Sequence, residues 1–388
     1  MPDPPKAIER RALIRLASAA FASASLPAWA TPSRPSSESS RVLRVHSPHA
    51  TREWDYAANA PWDHTVEMTA ERPGRIEERY FDFIDGDVVA RMLDLGLRQL
   101  TGVPTAAGAW KQLLPGFSPE QKITLKLNMN NASFDAAITT NRLDQTMPLV
   151  NAVLAQLVDG LGARPGLITL LDASRWFHPA IMKGRCRFPG VRWVDSTSAD
   201  RWDPSEAVTF TRDQPAPGGQ FWMPRDYTGA DHIINLCLMK AHGCGVTGAM
   251  KSHFGSIPSP KMLHDGMGTK SYIADVCATP SIREKVRLNL VDATFASWFG
   301  PVWAPRPWKT FPQPSPNSLF LSRDPVALDT VMLDHIRDEL KQQGSAAPAH
   351  VVEWVSGSTF LEYAMSRHGL GVHETRPYRR IDYRVLEL

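Results

Sequence analysis

Residues 167–172 read Leu167-Ile168-Thr169-Leu170-Leu171-Asp172, an almost unbroken apolar run closed by a carboxylate. A strand with one wet face alternates apolar and polar residues. A run that is apolar nearly throughout is buried on both faces, which suits a parallel sheet covered by helices. Working outward, Lys122–Asn128 alternates: Ile123, Leu125 and Leu127 face one way, Lys126 and Asn128 the other, as in a strand. Between the two, Asp144 is placed to cap a helix through Leu161, with Gly160 and Gly162 ending it.

The same grammar continues along the chain. Val88, Val89, Met92, Leu93, Leu97 and Leu100 repeat with helical period over 84–101. Further strands are expected at Val191–Val194, His232–Leu238, Leu288–Asp292 and Ser318–Leu321. Asp324-Pro325 couples a capping carboxylate to proline at the first helical position, opening a helix to about Lys341. A last helix follows Ser358 and ends at Gly369. The expected fold is therefore α/β, a mostly parallel sheet flanked by helices, with a ligand crevice at the strand carboxyl ends. Trp298 to Pro316 holds three Trp and six Pro and cannot be regular structure; it reads as a lid, a rigid aromatic wall or a packed surface loop.

The amino terminus carries three parts of a leader in order. Lys6, Arg10 and Arg11 form a basic region, Leu13 to Leu26 a short apolar region, and Ala28-Trp29-Ala30 a small-x-small cleavage site. Glu9-Arg10-Arg11-Ala12-Leu13-Ile14-Arg15 sets paired arginines before an apolar pair, the twin-arginine pattern. The expectation is a twin-arginine signal peptide over 1–30, cleavage near Ala30-Thr31, a polar linker or arm over 31–60, and a single large α/β domain over 61–388. The mature protein would be periplasmic or secreted, with the twin-arginine translocon as a transient partner. The apolar part of the leader falls short of the roughly 20 residues a bilayer span needs, and no later stretch is longer, so no stable membrane span is expected.

The 388 residues carry a formal net charge of +3, which leaves no nucleic-acid footprint. Cys186, Cys237, Cys244 and Cys277 show no CxxC pairing, against an iron–sulfur cluster or zinc ribbon. An oxidising compartment permits disulfides, while Cys237 and Cys244 also read as packed thiols near a site.

Polar residues gather at the strand ends: Lys126 and Asn128, Asp172 and Ser174, Lys240 and His242, and Asp292. The densest stretch, Lys240 to His264, repeats Lys-x-His at Lys240/His242 and Lys251/His253, punctuated by Gly243, Gly245, Gly248 and Gly255. Glycines allow backbone to approach a ligand. Lysines supply positive charge for a carboxylate or phosphate, and a desolvated lysine can become a base. Histidine moves protons near neutral pH or binds a metal.

With those residues assembled, the chain resembles the Domain of Unknown Function 362 family. The matching blocks are Ile123-Thr124-Leu125-Lys126-Leu127-Asn128, Ala230 to Leu236 leading into Lys240-Ala241-His242, and Thr247-Gly248-Ala249-Met250-Lys251-Ser252-His253-Phe254-Gly255. Leu290-Val291-Asp292-Ala293, Gly300-Pro301 and Ser322 to Asp329 follow. Twin-arginine leaders are familiar in that family. Many members carry a ferredoxin-like cysteine cluster that is absent here, and Ser252 stands where the family usually has Asn. More distantly, His242, Lys251 and His264 are similar in order and spacing to residues in the N-terminal domain of nickel-pincer lactate racemase. The likeness implies a lysine that holds a cofactor, and histidines that handle a hydroxy-acid proton and a metal.

Two functions are expected from this pattern. One is an enzyme of unassigned reaction, isomerase- or racemase-like or an oxidoreductase, acting on a small anionic ligand such as a carboxylate or hydroxy acid. Its candidate catalytic residues are His242, Lys251, His253 and Asp292, and its ligand-binding residues Lys126, Asn128, Lys240, Thr247 and Asp329. The other is a periplasmic metal- or ligand-binding protein without turnover, with His242, His253 and His264, joined by Asp265, around a divalent metal.

Overall fold

The computed structural model describes residues 40–56, 79–130, 142–212, 217–300 and 304–388. The expected leader lies outside the described residues. Eleven strands are described: β1 (Ser40–His46), β2 (Ile123–Lys126), β3 (Ile168–Leu171), β4 (Arg192–Val194), β5 (Trp202–Ala207), β6 (Trp222–Pro224), β7 (His232–His242), β8 (Gly245–Thr247), β9 (Val286–Ser297), β10 (Ser318–Ser322) and β11 (Ile381–Glu387). Nine build one sheet in the order β11-β1-β10-β9-β7-β2-β3-β4, with β8 folded back on β7. The run β9-β7-β2-β3-β4 is parallel throughout. β10 turns antiparallel to both β9 and β1, and β11 lies parallel to β1. β5 and β6 form a separate antiparallel ribbon.

Four helices matter for the site: α1 (Gly86–Thr101), α2 (Met147–Ala155), α3 (Ala249–Ser252) and α4 (Pro325–Gln343). The side chain of Asp85 caps α1 by accepting from the N–H groups of Asp87 and Val88, and that of Asp324 caps α4 by accepting from those of Val326 and Ala327. Alternate residues of β7 serve opposite layers. Ile233, Cys237, Met239 and Ala241 pack with Ala249, Met250, Leu328 and Met332, whereas Ile234 and Leu236 pack with Leu93, Leu97, Leu149 and Val153. Each such aliphatic side chain stabilises the fold by about 1.5–3 kcal/mol when fully buried.

Three expectations need correction. The polar arm placed over 31–60 is not an arm at residues 40–46. Val42, Leu43 and Val45 are buried, and Leu43 pairs with Leu321 inside the sheet. The flanking Ser, Pro and Ala mask a seven-residue strand whose burial comes only from distant partners. Asp144 does not cap the second helix. Pro148 lacks an N–H and fits only a first turn, so the helix starts at Met147 with Thr146 at the cap position. Finally, the strand expected to end at Asp292 runs on to Ser297, which leaves Asp292 in mid-strand opposite Leu238.

The Trp/Pro-rich stretch is, over its described residues, a packed wall rather than a lid. Trp298, Trp308 and Phe311 are buried, and Glu339 of α4 accepts from the backbone N–H groups of Lys309 and Thr310. No helix among the described residues is long and apolar enough to cross a membrane.

Candidate functional site

The carboxyl ends of β2, β3 and β7 open on one cavity of about 230 Å³. β2 delivers Asn128, Met129 and Asn130 to its wall, and β3 delivers Asp172, Ser174 and Arg175. β7 runs on through Lys240 and His242, then reverses at Gly245, whose φ of 98° suits glycine, into β8 and Thr247. α3 adds Lys251 and Ser252, and the segment after it adds Phe254, Gly255, Pro260 and His264.

The cations differ in how they are satisfied. Lys126 is fully buried and pairs with Asp172 at 3.4 Å while donating to the carbonyl of Leu127. Asp172 also accepts from the backbone N–H groups of Met129 and Ser174, at 3.0 and 3.2 Å. A Cβ at Gly255 would lie 2.6 Å from Lys126 Nζ and 2.7 Å from Asp172 Oδ1, so this pair requires glycine there. Lys240 donates to the amide oxygens of Asn128, at 3.1 Å, and Asn130. Burial first, then Lys251 and Arg175, push its pKa well below the usual lysine value, against the pull of Asp144. Lys251 sits 4.3 Å from the centre of the Phe254 ring, and burial lowers its pKa to about 8. Asp329 of α4 holds the turn that carries Lys251 by accepting from the N–H groups of Ala249 and Met250, at 2.6 and 3.0 Å.

Two histidines face each other in the cavity, His242 and His264, with ring centres 5.6 Å apart. His264 Nδ1 lies 2.9 Å from the carbonyl oxygen of Pro260. A carbonyl only accepts, so Nδ1 carries the proton and Nε2 is left as the basic nitrogen. Burial, reinforced by Lys251, lowers the His264 pKa to about 4. Burial also holds His242 well below the usual histidine value, with Lys251, His264 and Lys240 acting in the same direction. Both rings are therefore neutral at pH 7.

Four buried polar atoms of this wall have no hydrogen-bond partner among the described residues: Arg175 Nε, His242 Nδ1, Thr247 Oγ1 and Ser252 Oγ. Buried polar groups are ordinarily paired, because an unmet donor or acceptor costs about 1–3 kcal/mol. Their gathering on one wall marks it as built to hold a polar molecule.

Of the residues singled out from sequence, Asn128, Lys240, His242, Thr247, Lys251 and His264 line the cavity. Lys126 stands behind the wall, paired with Asp172, and Asp329 stands behind α3 as its anchor. Two are not part of the wall. His253 Nδ1 lies 3.1 Å from the hydroxyl of Tyr227, which accepts from Ser256, and burial lowers the histidine pKa to about 3. Asp292 accepts from the hydroxyls of Thr146, at 2.6 Å, and Thr294, at 2.7 Å. Its carboxylate is spent on that internal network. The sequence reading missed Asn130, Arg175 and Ser252 and left Asp172 and Ser174 without a role. Position within a few residues of a strand's carboxyl end was the available signal for all but Ser252.

The expected metal set is not brought together. His253 is turned to Tyr227, and Asp265 is fully exposed beside Lys270 at 3.8 Å. Among the described residues no group of three or more His, Cys, Asp or Glu side chains could hold a metal ion. All four cysteines are free, and Cys237, Cys244 and Cys277 are buried thiols.

The sequence model of a family described as a domain of unknown function (DUF362) matches residues 123–334. That span is more than half of the chain and contains every residue that lines the cavity. No curated protein matches the sequence.

Proposed function

The chain belongs to the DUF362 family, whose description names no reaction, and from the chemistry of the cavity we propose that it is an enzyme that binds a small carboxylate- or hydroxy-acid-like anion and moves a proton on it. The observation that carries this reading is the convergence of Lys240, Lys251 and Arg175 on one cavity beside two neutral histidines. The cations bind and orient the anion. His264, protonated at Nδ1 by its bond to Pro260, offers Nε2 as the base. His242 stands on the facing side as the second proton-transfer group, and Thr247 and Ser252 supply hydroxyls for the rest of the ligand. Asp329 is a positioning residue that acts through α3.

The test is binding and exchange in one series. Lactate and glycolate are titrated calorimetrically into the purified protein, and proton NMR in D₂O follows loss of the carbon-bound hydrogen next to the carboxylate. Binding with exchange that His264→Gln abolishes, while affinity stays within a few fold, supports the reading. Binding without exchange in the wild type leaves a ligand-binding protein without turnover. No binding of these or of any other small anion overturns the proposal. We further propose export through the twin-arginine route, which rests on Arg10 and Arg11 within the leader-like sequence.

A further inference from the structure

Among the described residues the charges of the cavity do not balance. Asp172, the one acidic residue among the described residues lining it, is consumed: Lys126 and the N–H of Met129 take Oδ2, and the N–H and hydroxyl of Ser174 take Oδ1. Lys240 is 1% exposed and rests on two neutral amides, with the charge of Asp144 acting on it from beyond the wall. Lys251 is 7% exposed and rests on an aromatic face. Arg175 spends Nη1 on the carbonyl of Ser174 and leaves Nε without a partner among the described residues. None of the three forms an ion pair with a described carboxylate. Burying a cation costs several kcal/mol unless an opposite charge accompanies it, and three cations in so small a space also repel one another.

Resting on the anion-site reading above, we propose that the ligand carries two negative charges, as a small dicarboxylate or a phosphate or sulfate monoester does. A single carboxylate would leave one of Lys251 and Arg175 uncompensated even where Asp144 serves Lys240. The donors point the same way. Lys240 keeps one N–H beyond its two amide bonds, Lys251 keeps all three, and Arg175 Nε, Thr247 and Ser252 add theirs. Together they outnumber the roughly four lone-pair sites of one carboxylate. A guanidinium grips planar or tetrahedral oxyanions in bidentate fashion, and Nε of Arg175 has no partner among the described residues. The cavity's 230 Å³ is below the roughly 300–1,000 Å³ of sites that hold drug-sized ligands, which suits a compact dianion.

The experiment is calorimetric titration of the full chain at pH 7.5 and fixed ionic strength with acetate and lactate as monoanions, malonate as dicarboxylate, and inorganic phosphate and sulfate as tetrahedral dianions. We expect at least one dianion class to bind ten-fold or more tighter than either monoanion. Comparing malonate with phosphate and sulfate tells which class fits. Lys251→Met and Arg175→Met, each checked for unchanged circular dichroism, should erase that preference. At pH 8.5 dianion binding should take up protons, read from its dependence on buffer ionisation enthalpy. Monoanions that bind as tightly as every dianion would overturn the dianion inference and leave the anion site standing. An absence of binding by every anion would overturn both.

Discussion

Replacing Lys251 with methionine should make the protein more stable at neutral pH while removing anion binding. Methionine nearly preserves the shape of the side chain and deletes its charge. The ammonium of Lys251 has an aromatic ring 4.3 Å away and no ion pair among the described residues, and burial lowers its pKa from 10.5 to about 8. One pKa unit is 1.36 kcal/mol, so keeping the ammonium charged inside the fold costs on the order of 3 kcal/mol below pH 8. Between about pH 8 and 10.5 the unfolded chain binds a proton that the folded chain does not. Unfolding free energy therefore rises with pH across that window, and the full cost persists below it. Methionine removes this cost but forfeits a cation–π contact of about 0.5–2 kcal/mol. The net expectation is a gain of about 1–3 kcal/mol at pH 7 that disappears by about pH 10.5. Urea unfolding of both proteins at pH 7, 8.5 and 10 measures it. The difference between the two chains reads Lys251 together with the relief it gives Lys240, whose pKa Lys251 lowers. A variant less stable than the wild type at pH 7, or a difference that does not change with pH, refutes the reasoning.

Burial holds His264 near pKa 4 and His253 near 3, so the pH profile of anion binding should show no histidine inflection between pH 5 and 7. It should then weaken about ten-fold by pH 9 as Lys251 loses its proton near pH 8, which titrations at unit steps of pH would read. Gly255→Ala should destabilise the fold by about 1–3 kcal/mol, because the added methyl collides with the Lys126–Asp172 pair; urea unfolding checks this. Asp329→Ala strands the N–H groups of Ala249 and Met250 at about 1–3 kcal/mol each and loosens the turn that carries Lys251. Stability and anion affinity should therefore fall together, measured by unfolding and calorimetry. Arg10→Lys combined with Arg11→Lys should leave the protein in the cytoplasmic fraction, read by fractionation and immunoblotting, if export takes the twin-arginine route.

The parallel core was legible because its signal is local. Leu167–Asp172 and His232–Leu238 are apolar enough to declare burial on both faces, and β3 and β7 stand where they do. β1 was not legible. Its burial depends on β10 and β11, which lie more than 270 residues away, and the residues before it have the composition of a surface segment. The cavity residues on β7 and α3 were legible as a cluster, since Lys240, His242 and Lys251 are close in sequence. Arg175 was not, because one arginine after a strand carries no mark of the wall it faces. His253 misled for the opposite reason. The Lys251-Ser252-His253 spacing suggests a pair of functional groups, but residues two apart on a helical turn do not share a face. Lys251 thus meets the cavity while His253 meets Tyr227.

What decides the cavity's chemistry is how the fold spends its acids. Asp292 and Asp329 looked like candidate catalytic or ligand-binding groups and Asp172 stood among the polar strand ends, and each is committed to internal donors. Asp172 serves Lys126 and two N–H groups, Asp292 two threonines, and Asp329 the start of α3. Carboxylates suit this work because each accepts several hydrogen bonds at once, and strand ends and helix starts are where backbone N–H groups go unpaired. Lysine and arginine cannot serve there, since they only donate. The residues that remain at the mouth of the sheet are therefore donors and cations, with acceptor capacity concentrated on His242 and His264. A site assembled this way selects an acceptor-rich anion. Its preference follows as much from the internal demands of β3, β9 and α3 as from the side chains that touch the ligand.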